Sequence, residues 1–416
     1  MLKEELLTRF LRYTSITSQS DATATVVPST DGQWELAKLL EKDLRELGLV
    51  DLKLSPNCVL TGRLPANLPS DFTRQVPKIG FVAHLDTVDV SLNPDLHPQL
   101  IKYTGGDVLL NKEENIIMKT AENPDLAKYV GQDILFSDGI SVLGSDNKAA
   151  ISTIVVALKE LQENPVLYHG ELYFAFVPDE EIGLRGSKTL DLRDLPVKFA
   201  YTIDCCELGE VVYETFNGGV AKIEIQGVSA HPMSAKGVLV NPTLVAIDLA
   251  NCFDRKQTPE NTDGKDGYIW VKGLTSNQSK ATLMLDIRDH HKDLYEAKKI
   301  YIQEAVAFIR KRYPTAVINL NLSDTYGNIN DSITEDNRMC IDYIYKAMKN
   351  LNITPKTIAM RGSTDGSVLS AKGLPTPNFF TGGHNFHSKF EFLPMDSFEK
   401  SCQMVLEIVR LTTEKQ

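Results

Sequence analysis

Two histidines and several acids of this chain closely follow short apolar runs, and their side chains are of the types that bind metal ions. The runs span residues 78–83, 172–177, 199–203 and 377–380, and the polar residues after them are His84 with Asp86, Glu180 with Glu181, Asp204, and His387. Imidazole nitrogens and carboxylate oxygens, with no obligatory thiolate, suit zinc, and manganese or cobalt can substitute for it. These residue types therefore predict a metal site.

His84 and Asp86 have the spacing of a metal ligand and the residue that supports it. Side chains alternate along a strand, so these two point the same way. Asp86 can then accept the second ring N–H of His84, which fixes the tautomer and makes the imidazole a better ligand. The pair alone leaves a surface or capping histidine open as the alternative.

Three further acids each have a functional and a plain structural interpretation. Asp146 precedes an apolar helix start and is either an N-cap or a carboxylate that bridges two cations. Glu180 and Glu181 stand side by side after a buried run, where they repel each other unless a positive group compensates them. In water the pair needs no compensation, so a surface location stays open.

The four apolar runs are predicted strands, because each is short, nearly continuous and bounded by polar residues. A helix is predicted from about residue 147 to 161, with Asp146 at its start. Apolar strands that alternate with helices are typical of an α/β protein with a parallel or mixed sheet covered by helices. Ligands of such sheets bind outside the carboxyl ends of strands, so we expect the acids and histidines to meet there.

Residues 215–325 have a different pattern. Strands are predicted at 220–225, 268–271, 282–288 and 316–322, with helices at 242–252 and 293–313. This βαββαβ order fits a small α+β domain of the split-βαβ kind. Because His387 follows it, we predict a lid-like or dimerisation-like domain inserted into a discontinuous catalytic domain of residues 1–214 and 326–416.

Composition excludes several classes of protein. The 416 residues suffice for two or three domains, and a formal net charge of −11 argues against nonspecific binding to nucleic acid or to anionic lipid. No stretch approaches the roughly 18 apolar residues of a membrane span. The six cysteines show neither zinc-finger nor disulfide spacing. We therefore expect neither nucleic acid nor membrane as a partner, and a cytoplasmic location.

Taken together and in chain order, several motifs resemble those of the co-catalytic dizinc metallopeptidases of family M20, and in particular its tripeptide aminopeptidases. The matching segments are 84–88, 137–139 with 143–149, 178–183, 204, 229–232, 286–289, 361–366 and 382–387. Each motif alone is weakly specific, but together they span nearly the whole chain. The resemblance implies a hydrolase that releases the N-terminal residue from tripeptides.

The resemblance also implies two zinc ions per subunit and assigns ligands to them. One ion would be held by His84, Asp146 and Asp204, and the other by Asp146, Glu181 and His387, so that Asp146 bridges the two. Two metals about 3.5–4 Å apart can share a water, lower its pKa and polarise the scissile carbonyl. Zinc-activated water attack is therefore the expected chemistry.

Further catalytic roles follow from the same resemblance. Glu180 would be the general base that takes the water proton and delivers it to the leaving amine, and Asp86 would orient His84. His231, in the inserted domain, would help to hold the developing oxyanion, although a histidine before proline is also a common turn residue. Either that domain closes over the metals or a second copy supplies His231, so a homodimer is one expected assembly.

Both charged ends of a short peptide have an expected binding residue. By the resemblance, Arg288 would hold the terminal carboxylate; because Asp286 and Arg288 share a strand face, a surface Asp–Arg pair is the alternative. Asp179 is a candidate for the free amino group. An extended tripeptide is about 10 Å long, so fixed positions for both ends would select peptide length.

Two other functions stay open. One is a related dizinc amino-acid deacylase or carboxypeptidase, and the other is a noncatalytic peptide-binding homologue, against which the intact Glu180 argues. Cys205 and Cys206 replace the small glycines expected after Asp204, and Asn147 replaces a second acid. Neither change removes a proposed ligand or the base, so they leave only the substrate preference open.

Overall fold

A computed structural model describes residues 2–414 of the chain. The α-helices are α1 (Leu2–Thr14), α2 (Asp31–Glu46), α3 (Ser145–Glu163), α4 (Arg185–Thr189), α5 (Pro242–Ala250), α6 (Lys292–Arg312), α7 (Met339–Asn350), α8 (Asp365–Ala371) and α9 (Met395–Thr413). The β-strands are β1 (Val50–Leu54), β2 (Leu60–Leu64), β3 (Ile79–His84), β4 (Gln99–Lys102), β5 (Val108–Asn111), β6 (Ile116–Met118), β7 (Asp133–Phe136), β8 (Leu172–Val177), β9 (Phe199–Cys205), β10 (Glu210–Thr215), β11 (Asn217–Gln226), β12 (Tyr268–Ser276), β13 (Lys280–Asp289), β14 (Val317–Tyr326), β15 (Lys356–Met360), β16 (Asn378–Phe380) and β17 (Phe392–Pro394). These elements form two compact units.

The first unit is built on an eight-stranded sheet with the strand order β1-β2-β8-β3-β9-β16-β10-β15. β3 pairs in parallel with β8 and β9, and β16 pairs in parallel with β9. β2 is antiparallel to both β1 and β8, and β10 is antiparallel to β16. The predicted mixed sheet of an α/β protein is thereby confirmed.

The centre of this sheet is apolar on both faces. Every residue of β3 and of β8 is buried. Helices α3 and α8 pack against β3 and β9, while α1 and α9 pack against α3. Continuous apolar strands of this kind are stable only where helices cover both sides of the sheet. The packing fixes the strands, and with them the positions of the residues at their carboxyl ends.

Two small sheets in the first unit were not predicted from the sequence. One has the order β17-β7-β4, and the other pairs β5 with β6. Tyr103, Met118, Phe136 and Phe392 belong to a separate apolar cluster under these strands. Because β17 follows the segment that carries His387, this cluster anchors that segment.

The second unit consists of Glu214–Asp331 together with Ala359–Ser363, a short segment outside the predicted range 215–325. Its four-stranded antiparallel sheet has the order β12-β13-β11-β14, and α5 and α6 pack against it. Burial alternates along most of β11, as expected where only one face of a sheet is covered. The elements follow one another in the order βαββαβ.

Most element bounds differ from the prediction by only a few residues. The predicted strand 172–177 coincides with β8, and the predicted helix 147–161 extends at both ends to form α3. Among residues 2–414, no helix has both the length and the apolar character that crossing a membrane requires.

Candidate active site

The carboxyl ends of three neighbouring strands bring a histidine and several acids together. His84 is the last residue of β3, Asp204 lies near the end of β9, and Glu180 and Glu181 follow β8. Since β3 lies between β8 and β9 and is parallel to both, the three carboxyl ends meet at one edge of the sheet. This is the edge at which ligands bind in open α/β sheets.

Two further residues reach this edge from less regular backbone. Asp146 stands at the start of α3, where it and Asn147 have non-helical backbone angles. His387 lies between β16 and β17 with a φ of 60°, in the left-handed region that non-glycine residues seldom adopt. Such backbone is maintained only where its surroundings hold it, and it is concentrated at functional sites.

Asp146 lies between the two histidines and presents one oxygen to each. His84 Nε2 is 2.9 Å from Asp146 Oδ1 and 3.7 Å from Asp204 Oδ1. His387 Nε2 is 3.1 Å from Asp146 Oδ2 and 3.0 Å from Glu181 Oε1. The five predicted ligands therefore form two adjoining groups that share Asp146.

Both groups fit a metal ion. The donor atoms of His84, Asp146 and Asp204 lie within 4.8 Å of one another, as do those of Asp146, Glu181 and His387. Ligands at the usual 2.0–2.1 Å from a tetrahedral zinc are about 3.3 Å apart, close to the distances found here. The spacing and the nitrogen and oxygen donors thus suit a pair of divalent cations.

A buried oxygen supports the same interpretation. Glu181 Oε1 has no well-directed hydrogen bond within residues 2–414, although His387 Nε2 is only 3.0 Å away. A buried carboxylate oxygen without a partner is costly. The two atoms are close without pointing at each other, which is the arrangement expected of ligands that converge on a third atom.

The acids of the site are crowded and buried. Burial and, next in size, the nearby charge of Asp146 together raise the pKa of Asp204 to about 6 and that of Glu181 to about 7. Burial also raises the pKa of Glu180 well above its usual range. A cation bound at this edge would relieve the repulsion that these shifts reflect.

The neighbouring acids raise the pKa of both histidines. The hydrogen bond with Asp146 and the adjacent carboxylate of Glu181 raise the pKa of His387 to about 10. Burial opposes protonation of His84, but contacts with carboxylates, Asp146 first among them, outweigh it and place the pKa well above its ordinary value. Both rings thus lie where a positive charge, carried by a proton or by a metal ion, is stabilised.

Asp86 acts differently from the prediction. His84 Nδ1 donates to the main-chain oxygen of Asp86 at 2.9 Å, whereas the carboxylate is 3.5 Å away. The carboxylate instead accepts the backbone N–H groups of Glu180 at 2.9 Å and Glu181 at 3.2 Å. The main chain of Asp86 thus fixes the tautomer of His84 and leaves Nε2 free to bind a metal, while its side chain fixes the turn with the two glutamates.

Asp179 is not available to a substrate. It is completely buried, and its carboxylate accepts hydrogen bonds from Ser29 N at 2.8 Å, Ser29 Oγ at 2.6 Å and Gln33 Nε2 at 2.7 Å. Its own N–H donates to Gln33 Oε1 at 3.0 Å. The expected contact with a substrate amino group is contradicted, because this carboxylate is occupied in joining the turn after β8 to the start of α2.

His231 lies in the second unit and is exposed. Its Nδ1 accepts a hydrogen bond from Met233 N at 3.2 Å, so the ring caps the 3-10 helix Pro232–Ser234. The same side chain borders a cavity of about 720 Å³. The turn role considered for this residue is therefore present, and a role toward substrate stays a prediction.

Arg288, also in the second unit, is firmly oriented. Its Nη1 donates to the carbonyl oxygens of Gly219 and Ile287, each at 2.9 Å, and its Nη2 lies 3.3 Å from Asp286 Oδ2. The guanidinium lies 5.2 Å from the centre of the Tyr326 ring. The Asp–Arg pair considered as the alternative is thus formed, and binding of a substrate carboxylate stays a prediction.

Several polar residues of the first unit's site were not predicted from the sequence. Asn147 Nδ2 donates to Asp204 Oδ1 at 2.7 Å and to Ile203 O at 2.9 Å, which fixes the carboxylate of Asp204. Asp365, at the start of α8, is buried, and its Oδ1 has no hydrogen-bond partner within the part of the chain described. Burial raises the pKa of Asp365 to about 7. The motif 361–366 contained this residue and could have pointed to it.

Glu391, just before β17, was missed for a different reason. It is buried, and its carboxylate accepts hydrogen bonds from residues 143–146. No local pattern marks it, because its partners lie about 245 positions earlier in the chain.

Comparisons with known proteins find similar peptidases. The model of Peptidase family M20/M25/M40 matches residues 144–411. A peptidase T-like protein of Yersinia pestis is 51% identical over 407 residues, which is 98% of this chain and 97% of that protein. Peptidase T of Fusobacterium nucleatum is 41% identical over 408 residues, with 98% and 97% covered. The crystal structure of the aminopeptidase PepT from Bacillus cereus has the same fold, with a TM-score of 0.76 at 21% identity and 99% of each chain covered.

Proposed function

The chain belongs to the M20/M25/M40 peptidase family, and we propose that it is a metal-dependent aminopeptidase that releases the N-terminal residue from tripeptides. Full-length relatives named peptidase T support this activity. The observation that carries the proposal is the position of Asp146, whose two oxygens face His84 and His387 separately. Such a shared carboxylate suits two cations side by side, as in two-metal hydrolases.

The proposed cofactor is a pair of zinc ions. His84, Asp146 and Asp204 would hold one, and Asp146, Glu181 and His387 the other. When bound, the ions would polarise the scissile carbonyl and lower the pKa of a water molecule. Manganese and cobalt accept the same donor atoms and are the expected substitutes.

Glu180 is the proposed general base. Its carboxylate lies within 4.8 Å of the donor atoms of His84 and Glu181, and Asp86 holds its backbone N–H. A carboxylate oxygen of Glu180 would accept the proton of the attacking water and then donate it to the nitrogen of the leaving amine. Proton transfer of this kind contributes about 10²–10⁴ to the rate.

The remaining proposed roles belong to the second unit. Arg288 would bind the terminal carboxylate of the peptide, and its fixed guanidinium needs little reordering to do so. His231 would help to hold the developing oxyanion. With Asp179 occupied elsewhere, the negative edge of the first unit is what would attract the amino group. A homodimer and a cytoplasmic location stay predictions of the sequence.

A panel of alanine peptides tests the activity and its length selection. Zinc-loaded protein should release the first alanine from trialanine, with a much lower kcat/KM for dialanine, tetraalanine and N-acetyl-trialanine. Trialanine amide should show a raised KM if Arg288 binds the carboxylate. Equal rates on all chain lengths would contradict length selection.

The same peptide panel distinguishes the proposed aminopeptidase from the alternative functions. Hydrolysis of N-acetyl amino acids in preference to free peptides would indicate a deacylase, and release of the last residue first would indicate a carboxypeptidase. Zinc-loaded protein inert on every peptide would contradict the proposed enzyme.

A further inference from the structure

A single buried carboxylate organises the segment that carries Asp146. Glu391 is 1% exposed and stands immediately before β17. Its Oε2 accepts the backbone N–H of Leu143 at 2.6 Å and of Gly144 at 3.0 Å. Its Oε1 accepts the backbone N–H of Asp146 at 3.2 Å and the hydroxyl of Ser145.

All of these bonds go to one short stretch of chain. A carboxylate has about four acceptor positions, and Glu391 receives donors from four consecutive residues, 143–146. The first turn of a helix leaves its backbone N–H groups without intrahelical partners, and a negative charge there is favourable. Glu391 accepts one such N–H group, that of Asp146, and also the N–H groups of Leu143 and Gly144 just before α3.

The backbone of this segment departs from helical geometry. Gly144 has a φ of +79°, and Asp146 has a non-helical backbone, so the chain does not follow the helix here. Without Glu391 the backbone donors of Leu143, Gly144 and Asp146 would be buried and unpaired. Buried unpaired donors favour rearrangement of the backbone that bears them.

Glu391 also joins this segment to the one that carries His387, four residues earlier. Its N–H donates to Ser388 O at 3.0 Å, and its carbonyl oxygen accepts from Ser137 N at 3.2 Å. The same two segments also come together at the site, where His387 Nε2 lies 3.1 Å from Asp146 Oδ2. One residue thus connects two predicted ligands of the same ion.

We propose that Glu391 is a positioning residue that holds Asp146 ready to be shared by two cations before they bind. It acts through Asp146 and is not itself a ligand. The inference rests on the proposed function, because it takes Asp146 as the shared ligand. It predicts that loss of the Glu391 carboxylate weakens metal binding itself and not only the stability of the fold.

The test is a zinc titration of metal-free protein against a competing chromophoric chelator. Glu391→Gln keeps the size of the side chain but turns an acceptor into a donor that faces backbone N–H groups. We expect zinc affinity to fall about 10- to 100-fold, as for other residues that support metal ligands. Peptidase activity should fall at limiting zinc and recover at excess zinc.

Asp43→Asn is the matched control for a buried carboxylate. Asp43 is 3% exposed and is bonded to Arg9 at 2.8 Å and Arg12 at 2.9 Å, away from the predicted ligands. This variant should lower the melting temperature of the metal-free protein and leave zinc affinity unchanged. A merely structural role of Glu391 would give the same result for Glu391→Gln.

A second pair of variants does not depend on Glu391→Gln folding. Ser145→Ala removes one donor to Glu391 and should weaken zinc binding about fivefold, the equivalent of one hydrogen bond. Ser152→Ala removes an equally buried hydroxyl, bonded to Lys148 O at 2.7 Å on the same helix, and should change the affinity by less than about twofold.

Zinc affinities of Glu391→Gln and Ser145→Ala equal to that of the wild type would overturn the inference and leave the proposed function standing. If Glu391→Gln does not fold, equal affinities of Ser145→Ala and Ser152→Ala would overturn it. A wild-type chain that binds no zinc would overturn the proposed function, and the inference with it.

Discussion

Carboxylates at the edge of the central sheet have different tasks because they have different neighbours. Asp146 faces two imidazoles, Asp86 accepts backbone N–H groups, and Asp179 is occupied by Ser29 and Gln33. Of these three acids, only Asp146 has carboxylate oxygens that converge with imidazole nitrogens, as the ligands of a cation must. The neighbours of each acid, not its residue type, decide whether it can bind a metal.

Glu180 allows catalysis to be separated from metal binding. Because it is proposed to carry a proton and not a metal, Glu180→Gln should keep its zinc and lose about 10²–10⁴ in kcat. Steady-state kinetics on trialanine, with metal content measured on the same preparation, checks both parts.

Glu163→Gln is the matched control, since Glu163 is exposed at the end of α3. It should leave kcat and metal content unchanged. A Glu180→Gln variant that retains more than about a tenth of wild-type kcat would contradict the role of general base. Loss of zinc from that variant would instead make Glu180 a ligand.

The turn after β8 shows how an element fixes the site. Gly186 N donates to Pro178 O at 2.9 Å, so the start of α4 packs directly on the turn that carries Glu180 and Glu181. A Cβ at Gly186 would lie 2.3 Å from Pro178 O and 2.5 Å from Pro178 Cδ. The backbone would have to move, and the two glutamates with it.

Gly186→Ala should therefore lower the free energy of unfolding by about 1–3 kcal/mol, as overpacking does, and should also reduce kcat. Urea unfolding of the metal-free protein gives the first quantity, and trialanine hydrolysis gives the second. Gly273→Ala is the control, because nothing lies within 4 Å of a Cβ there. Equal stability and activity of the two variants would contradict the packing described.

At the scale of elements, the sequence predicted what depends on local pattern. β8 is an uninterrupted apolar run, and the five proposed ligands lie at strand ends, soon after a strand or at a helix start, so both were visible as candidates in the local sequence. Glu391 could not be predicted from the local sequence, because its hydrogen-bond partners are distant in sequence and only tertiary packing brings them to it. Asp179 was misjudged for the same reason, since Ser29 and Gln33 lie about 150 positions away.

The whole chain divides its proposed functions between its two units. The first contains the predicted metal ligands and Glu180, and the second contains His231 and Arg288. The family could be predicted because its motifs occur in order along nearly the full length, and the relatives also match at full length. The preferred peptide length could not be predicted from motifs, because it depends on the distances between the site residues and a bound peptide.

The position of Asp146 predicts that the first unit holds two cations that share this carboxylate. Anomalous scattering measured at the zinc edge, from crystals of the zinc-loaded protein, tests it directly. We predict two peaks about 3.5–4 Å apart, one beside His84 and Asp204 and the other beside Glu181 and His387, with Asp146 in contact with both. No peak at this cluster, or a single peak that Asp146 does not contact, would contradict the claim.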